Sequence, residues 1–195
     1  MINKERLKSF LRYSAYIYFA IIVIVSISFY FVFDILKRPK YSEQINVFVS
    51  SGNVNVTKLE EKLYAGYEDS FIKCVNVDFA NKSDRQFSII FNTRGLTNTE
   101  FIIMDDSYVE SGKYSTYFTA IDEEIAKQLL NNNIEFYKDQ DNHSYGIKVN
   151  DYLKDYVNVE DGNYYLFINK KSDKISTFNS FGTNDGLKVL QNIFR

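Results

Sequence analysis

Short polar stretches that could bind a small ligand follow two apolar runs of this chain. Ser50-Ser51-Gly52 follows residues 45–49, and Asp105-Asp106-Ser107 follows residues 101–104. Carboxylates and hydroxyls in these places could hydrogen-bond a polar solute or supply oxygen ligands to a hard cation. A calcium site needs about 6 to 8 oxygens, and no EF-hand spacing surrounds these residues. An acidic loop in water therefore explains them better than a metal site does.

The side chains used most often in catalysis are scarce. His143 is the only histidine and lies in the polar segment DQDNHS, which is typical of a solvent-exposed turn. Cys74, the only cysteine, lies in the middle of a strand pattern, which predicts an inert buried thiol. Neither has a partner at the spacing of a nucleophile and its base, and the sequence has no phosphate-binding glycine loop. We therefore predict no catalytic residue, no metal site, no cofactor and no enzyme activity.

Two predicted strands place the polar stretches at one edge of a sheet. Residues 45–49 are rich in apolar β-branched side chains, and residues 101–104 are continuously apolar, which is typical of a strand buried on both faces. Ligands of open α/β sheets bind beyond the carboxyl ends of the strands. The sequence therefore predicts a ligand-binding cleft, lined by Ser51, Arg94, Asp105, Asp106 and Ser107.

Helix and strand patterns alternate through the first half of the domain. Thr57 and Glu60 form a capping-box pattern at the start of a helix. Its apolar residues recur every fourth position, at Leu59, Leu63, Tyr67 and Phe71. The strand predicted over 72–79 has one apolar face, formed by Val75, Val77 and Phe79. The segment 85–94 is ambiguous, because a short apolar run does not reveal its own period.

The second half of the domain continues this alternation. The predicted elements are a helix over 123–130 capped by Asp122, a hairpin over 134–137 and 145–149, a strand over 164–168, and a closing helix capped by Asn184 or Asp185. Strands that alternate with helices are typical of an α/β fold. The sequence therefore predicts a single, mostly parallel-sheet lobe with an added β-hairpin.

An uncharged stretch of 21 residues begins at Tyr13 and ends at Phe33. As a helix it would be about 31 Å long, which matches the hydrocarbon core of a bilayer. The alternatives are a buried core helix and a cleaved signal peptide. The run is too long for a signal peptide, and no small-residue cleavage site follows it. We therefore predict an uncleaved helix that anchors the protein in the membrane bilayer.

The predicted organisation has a basic tail over 1–12, a transmembrane anchor over 13–36, a linker over 37–44 and an α/β domain over 45–195. Four lysines or arginines precede the span and three follow it. This bias predicts a cytoplasmic N-terminus and an extracellular domain at the cell membrane. Residues 41–195 carry 16 basic against 23 acidic residues. An acidic domain argues against nucleic acid as a partner.

Four stretches, taken in order, resemble one lobe of an extracellular solute-binding protein of ABC importers, the type 2 periplasmic-binding fold. They are INVFVSSGN, EFIIMDDSYVESGKYSTYFTAIDEE, EFYKDQDNHSYGIKV and YYLFINKKSDKI, within roughly residues 45–194. The resemblance implies a helix over 85–94, a small polar solute as ligand, and an importer permease as a membrane partner. Lys148 stands where the family usually has proline, and we expect one lobe only.

Two functions of different classes follow from these patterns. The first is a membrane-anchored, solute-binding-like module that binds a small polar solute or assists an importer. The second is a non-enzymatic interaction protein whose cleft is vestigial and whose partner is another membrane protein. An open pocket at the strand ends favours the first function. A strand-end cleft that is filled by its own side chains favours the second.

A charge in the middle of the predicted span should impair membrane integration. Ile24→Arg is expected to cost about 2.5–3.5 kcal/mol of insertion free energy. Alkaline carbonate should leave the wild-type chain in the membrane pellet and release more of the variant, whereas Ile35→Arg, beyond the uncharged stretch, should behave like the wild type. Release of the wild-type chain, or a mature N-terminus after residue 34, would contradict the anchor.

Overall fold

The computed structural model describes residues 4–68, 70–106, 113–130, 133–157, 162–180 and 182–195, with residues 4–12 described by their backbone alone. The chain divides into two compact units, Met1–Lys40 and Tyr41–Arg195. The described part of the first unit is dominated by one long helix. The second unit contains all the strands found among the described residues.

Helix α1, Lys4–Lys37, builds the first unit. Its stretch Tyr13–Lys37, 25 residues long, is apolar enough to span a membrane, and its most apolar part is not buried. At about 1.5 Å per residue such a helix exceeds the roughly 30 Å hydrocarbon core of a bilayer. The helix ends two residues before Pro39, because proline disfavours helical geometry in the residue before it. The length and the exposed apolar surface of α1 suit a membrane anchor.

One six-stranded sheet forms the centre of the second unit. Its strands are β1 (Gln44–Val49), β2 (Cys74–Phe79), β3 (Phe101–Asp105), β4 (Phe136–Lys138), β5 (Ser144–Lys148) and β6 (Tyr164–Ile168). They lie in the order β2-β1-β3-β6-β5-β4. β2, β1 and β3 are parallel, whereas β6 and the β4–β5 hairpin pair antiparallel on the other side. The predicted α/β fold, with one sheet and an added hairpin, is confirmed, and the parallel strands lie on one side of a mixed sheet.

Short helices connect the strands and cover the sheet. They are α2 (Val56–Tyr64), α3 (Phe87–Ile90), α4 (Leu96–Asn98), α5 (Tyr114–Tyr117), α6 (Glu123–Leu129), α7 (Asn150–Leu153) and α8 (Leu187–Ile193). A π-helical turn, Phe91–Gly95, joins α3 to α4. The helical interpretation of 85–94 is therefore confirmed.

Each face of the sheet packs into its own apolar core. On one face, alternate β1 residues such as Val47 and Val49 pack with apolar residues of α2 and α8. On the other face, Phe48 packs with Ile102 of β3 and with apolar residues of α3 and α5. All five residues of β3 are buried. The prediction of a central strand is confirmed, since only a strand covered on both faces places consecutive apolar residues out of water.

The start of α2 differs from its prediction. Its N-cap is Asn55, whose Oδ1 accepts the N–H of Lys58 at 3.3 Å. The capping box at Thr57 is therefore wrong, because an asparagine two residues upstream already satisfies the first turn. Glu60, the second member of that pattern, accepts the N–H of Val77 in β2 at 2.9 Å instead.

Three side chains expected in the core lie nearer the surface. Phe71 is exposed because α2 ends at Tyr64, before the apolar face can reach it. Phe79 is exposed at the last position of β2, an edge strand of the sheet. Cys74 is the first residue of β2 and only half-buried, so its placement mid-strand in the core is wrong. Burial nevertheless raises the pKa of its thiol, which leaves it poorly activated.

Of the two helix caps predicted in the second half of the domain, one is confirmed and the other is wrong. Asp122 caps α6, where its Oδ1 accepts the N–H groups of Glu124 and Ile125 at 3.0 and 3.1 Å, as predicted. The N-cap of α8 is Gly186, so neither Asn184 nor Asp185 holds that position. The Oδ1 of Asn184 accepts instead from the preceding loop, where it fixes the entry to α8.

A buried ion pair lies at the start of β3. The side chains of Lys174 and Glu100 are 5% and 1% exposed, and Nζ and Oε1 are 3.3 Å apart. Lys174 also donates to the backbone oxygens of Tyr41, at 2.9 Å, and Gln44. Glu100 accepts the N–H of Asn46 at 2.6 Å. The pair therefore joins the segment after β6 to the starts of β1 and β3.

Burial raises the pKa of the Glu100 carboxyl above its ordinary value of 4.5, against the lowering effects of the Asn46 N–H and the Lys174 ammonium. Burial and the adjacent Glu100 raise the pKa of Tyr41 to about 12, so its hydroxyl remains a donor to Glu100. The folded state therefore holds the Glu100 proton more tightly than the unfolded state. This contribution to stability is complete below pH 4.5 and is lost as the pH rises through the raised pKa.

Removal of the ammonium should make this pH dependence steeper. Lys174→Met is expected to destabilise the protein by about 3 kcal/mol at pH 7, because it leaves a buried carboxylate without its counter-charge. The deficit should shrink towards pH 4.5, because a larger share of Glu100 is then protonated, and urea unfolding at both pH values would measure it. Lys148→Met, in the more exposed pair with Glu135, should cost about 0–1 kcal/mol at either pH. A deficit for Lys174→Met that does not change with pH would contradict this account.

Candidate functional site

The carboxyl ends of the parallel strands meet at one edge, as predicted. Val49 of β1 lies beside Ile103 of β3, and the N–H of Ser50 donates to the Ile103 oxygen at 2.8 Å. The segment after β2 reaches the same edge, where the N–H of Ala80 donates to the Val49 oxygen at 3.1 Å. Ser51 therefore follows β1, and Asp105 ends the neighbouring strand β3, at the place where a ligand cleft would form.

The protein's own side chains close this edge. Ser51 is buried, and the Asp105 side chain is only 3% exposed. Lys82, from the loop after β2, places its Nζ 3.0 Å from Oδ2 of Asp105. Because β1 lies between β2 and β3, this contact passes over the end of β1. Among the described residues, the side chains of Lys82 and Asp105 therefore occupy the place of the predicted cleft.

Close packing of two loops reinforces the closure. A Cβ added at Gly52 would lie 2.5 Å from Nδ2 of Asn81, so the loop after β1 packs against the Asn81 side chain of the loop after β2. Asp106 is exposed, and its backbone oxygen accepts the Tyr114 hydroxyl at 3.0 Å. Burial raises the pKa of Tyr114, which keeps that hydroxyl protonated as a donor. Ser107 lies outside the described residues.

Arg94 is not brought to this edge. It lies in the π-helical turn Phe91–Gly95, and its guanidinium is 3.4 Å from Oδ2 of Asp78. Asp78 of β2 pairs with Phe48 of β1, and Phe48 lies three residues before Ser51. At about 3.3 Å per residue, Asp78 is therefore about 10 Å from Ser51 along the strand direction. The five predicted cleft residues therefore do not form one site.

Arg94 lines a separate groove of ≈ 420 Å³ on one face of the sheet. Its wall includes Asn46 and Asn76, which are direct partners in β1 and β2. Nδ2 of Asn76 donates to Oδ1 of Asn46 at 2.9 Å. Sequence reasoning missed Asn46, because one polar residue in an otherwise apolar run resembles an interruption. The recurrence of asparagine at matching positions of both strands was the available signal.

Three side chains that could bind a metal lie in the turn between β4 and β5. Asp139, Asp141 and His143 offer ligand atoms within 4.8 Å of one another. Oδ1 of Asp139, however, already accepts the backbone N–H groups of Asp141 and His143 at 3.0 and 2.8 Å. The His143 side chain is largely exposed beside the turn. This geometry is that of a turn held by its first aspartate, which agrees with the interpretation of His143 as a turn residue.

Comparison with known proteins adds no relative: no family model, no curated protein and no solved structure matches the chain. The resemblance to a solute-binding lobe therefore stays a prediction from the four sequence stretches.

The Lys82–Asp105 contact should matter more for stability than the exposed Arg94–Asp78 contact. Lys82→Met is expected to destabilise the protein by about 1–3 kcal/mol, because Asp105 is buried while Lys82 remains partly in water. Arg94→Met is the matched control and should cost about 0–1 kcal/mol, since both side chains of the Arg94–Asp78 pair are exposed. Urea unfolding of the full chain measures both changes. Equal effects would contradict the role of Lys82 as the counter-charge of Asp105.

Proposed function

We propose that this chain is a membrane-anchored, non-enzymatic interaction protein whose soluble domain binds another membrane protein. The observation that carries the proposal is the closed strand-end edge. A buried Ser51 and the Lys82–Asp105 contact leave little room at the place where an α/β lobe would hold a solute. The cleft is then vestigial, and the fold serves as a scaffold for surface contacts.

The anchor in this proposal is α1. A helix of this length and apolar character partitions into a bilayer, because its backbone groups are bonded internally and its side chains are apolar. Four basic residues before the uncharged stretch and three after it favour a cytoplasmic N-terminus. The domain is accordingly extracellular, and partners that share the membrane meet it at a raised local concentration.

At the β2 edge of the sheet, side-chain surfaces rather than strand addition provide the contacts. The edge strand β2 is blocked, because the N–H of Val77 is occupied by Glu60 and the N–H of Phe79 by the Asp78 carboxylate. Phe71, by contrast, is a large aromatic side chain that is 57% exposed, in the segment after α2. Exposed aromatic side chains are enriched at protein interfaces relative to the rest of the surface.

The second candidate function is that of a module that binds a small polar solute or assists an importer through its permease. The asparagine-lined groove that includes Arg94 favours it, because amide and guanidinium groups can hydrogen-bond a polar solute. Solute binding in that groove would be lost in Arg94→Met and retained in Lys82→Met. The interaction proposal expects no solute to bind there.

A membrane-impermeant amine-reactive cross-linker, applied to intact cells that express the tagged full chain, tests the interaction. We expect a discrete adduct with a second membrane protein. Phe71→Ser and Ile89→Ser remove exposed apolar side chains and should change stability by less than about 0.5 kcal/mol. We expect Phe71→Ser to reduce the adduct several-fold, with Ile89→Ser, on the helix over the other face, as its matched control.

The outcomes separate orientation from function. An adduct that forms only after permeabilisation would contradict the extracellular orientation and leave the interaction standing. The absence of an adduct under both conditions would contradict the interaction itself. Solute binding that depends on Arg94 would then favour the second candidate function.

A further inference from the structure

The amino ends of two parallel strands form one rim of the second unit. The first residues of β1 and β2 are direct partners in the sheet. Just before them, the N–H of Lys73 donates to the Glu43 oxygen at 2.7 Å. The segment before β2 therefore lies beside the segment before β1. The amino-end rim consists of these two segments, residues 41–43 and 70–73.

Each segment of the amino-end rim presents an aromatic side chain to water. Tyr41 is 56% exposed and Phe71 is 57% exposed. Both are on anchored backbone, because Lys174 donates to the Tyr41 oxygen at 2.9 Å, and Ile72, next to Phe71, is buried in the core. The fold therefore holds both aromatic residues at the surface, where an apolar ring gains free energy if another apolar phase covers it.

The chain limits how far this rim can lie from the bilayer. The uncharged stretch that fits the hydrocarbon core ends at Phe33, and the last turn of α1, up to Lys37, adds about 6 Å, which is the depth of the headgroup layer. Three residues, 38–40, then lead to Tyr41. Four steps of at most about 3.6 Å hold Tyr41 within about 14 Å of the headgroups.

The residue types in and beside this connection suit the membrane–water interface. Aromatic side chains are enriched at the level of the headgroups, and phenylalanine is typical of the apolar face of segments that lie in the interface. Long basic side chains near the ends of membrane-spanning helices extend to the same level, and Lys37 and Lys40 lie there in the sequence. The tether and the exposed rings therefore favour the same partner, which is lipid.

We propose that the amino-end rim lies on the bilayer surface, with Phe71 and Tyr41 among the lipid headgroups. The anchor raises the local concentration of the rings at the interface, and the interface removes apolar surface from water. The inference goes beyond the proposed interaction, because it needs no second protein and holds on either side of the membrane. A membrane protein that binds Phe71 would displace lipid from it.

A single introduced tryptophan can report on this contact, because the chain contains no tryptophan of its own. Phe71→Trp places the fluorophore at the amino-end rim. Phe79→Trp is the matched control, since Phe79 is an exposed phenylalanine at the last position of β2. At about 3.3 Å per residue, Phe79 lies roughly 17 Å from the start of that strand. Both positions are at the surface, so both variants should keep the fold.

The test places each full-length variant in nanodiscs of ordinary phosphatidylcholine and in nanodiscs of phosphatidylcholine brominated high in its acyl chains. Bromine quenches tryptophan that contacts the lipid. We expect brominated lipid to lower the fluorescence of Phe71→Trp several-fold and to leave that of Phe79→Trp unchanged. Iodide in the water should quench Phe79→Trp more strongly, although Phe71 is the more exposed of the two residues in the structure.

Three results would overturn the proposal. They are equal fluorescence of Phe71→Trp in the two lipids, equal quenching of both variants by bromine, and stronger quenching of Phe71→Trp by iodide. The first would mean that the rim stays in water, and the second that the domain meets the bilayer with no preferred end. Because the nanodiscs hold no second protein, failure of this test would leave the interaction with a membrane protein standing. Absence of a cross-linked adduct, in turn, would leave the lipid contact standing.

Discussion

The buried contact between Lys174 and Glu100 sets the frame on which the rest of the domain depends. It joins three segments that are distant in sequence, because the ammonium also binds the Tyr41 and Gln44 oxygens at the start of β1. Two charges removed from water are costly unless their remaining hydrogen-bonding positions are filled. Here the backbone fills them, with Asn46 donating to the carboxylate. Such a contact specifies the order and register of β1 and β3 more than it adds to the free energy of unfolding.

A second lysine–carboxylate pair at the other end of β3 gives the sheet its closed edge. Glu100 precedes the strand and Asp105 ends it, and each carboxylate meets a lysine from another segment, Lys174 or Lys82. The apolar residues between them are buried on both faces, so the two pairs hold the ends of a strand that has no polar side of its own. The same carboxylate that sequence reasoning offered as a ligand-binding group is therefore used to complete the fold. This is why the strand-end position is a poor place for a solute.

The sequence allowed prediction of those features that repeat over several residues or follow from strand direction. The buried run of β3 and the meeting of Ser51 with Asp105 at one edge belong to this class, since parallel strands end on the same side. The capping box at Thr57 failed because capping depends on which side chain first reaches the open N–H groups, and Asn55 did so. The contact of Lys82 with Asp105 joins two residues that are 23 positions apart, and Lys82 lies in a loop. No local sequence period predicts such a contact.

The buried polar groups of this domain divide into those that the fold pairs and those that it leaves unpaired. Asp105 and Glu100 are used, because each is buried against a lysine and would be costly alone. The hydroxyls of Ser50 and Thr119 are also buried, yet neither bonds anything among the described residues. The fold therefore pairs its buried carboxylates but leaves these neutral hydroxyls unpaired, because an unpaired hydroxyl costs less free energy than an unpaired buried charge. A carboxylate at the end of a buried strand is therefore a poor guide to ligand binding in this protein, because the fold itself pairs that carboxylate with a lysine.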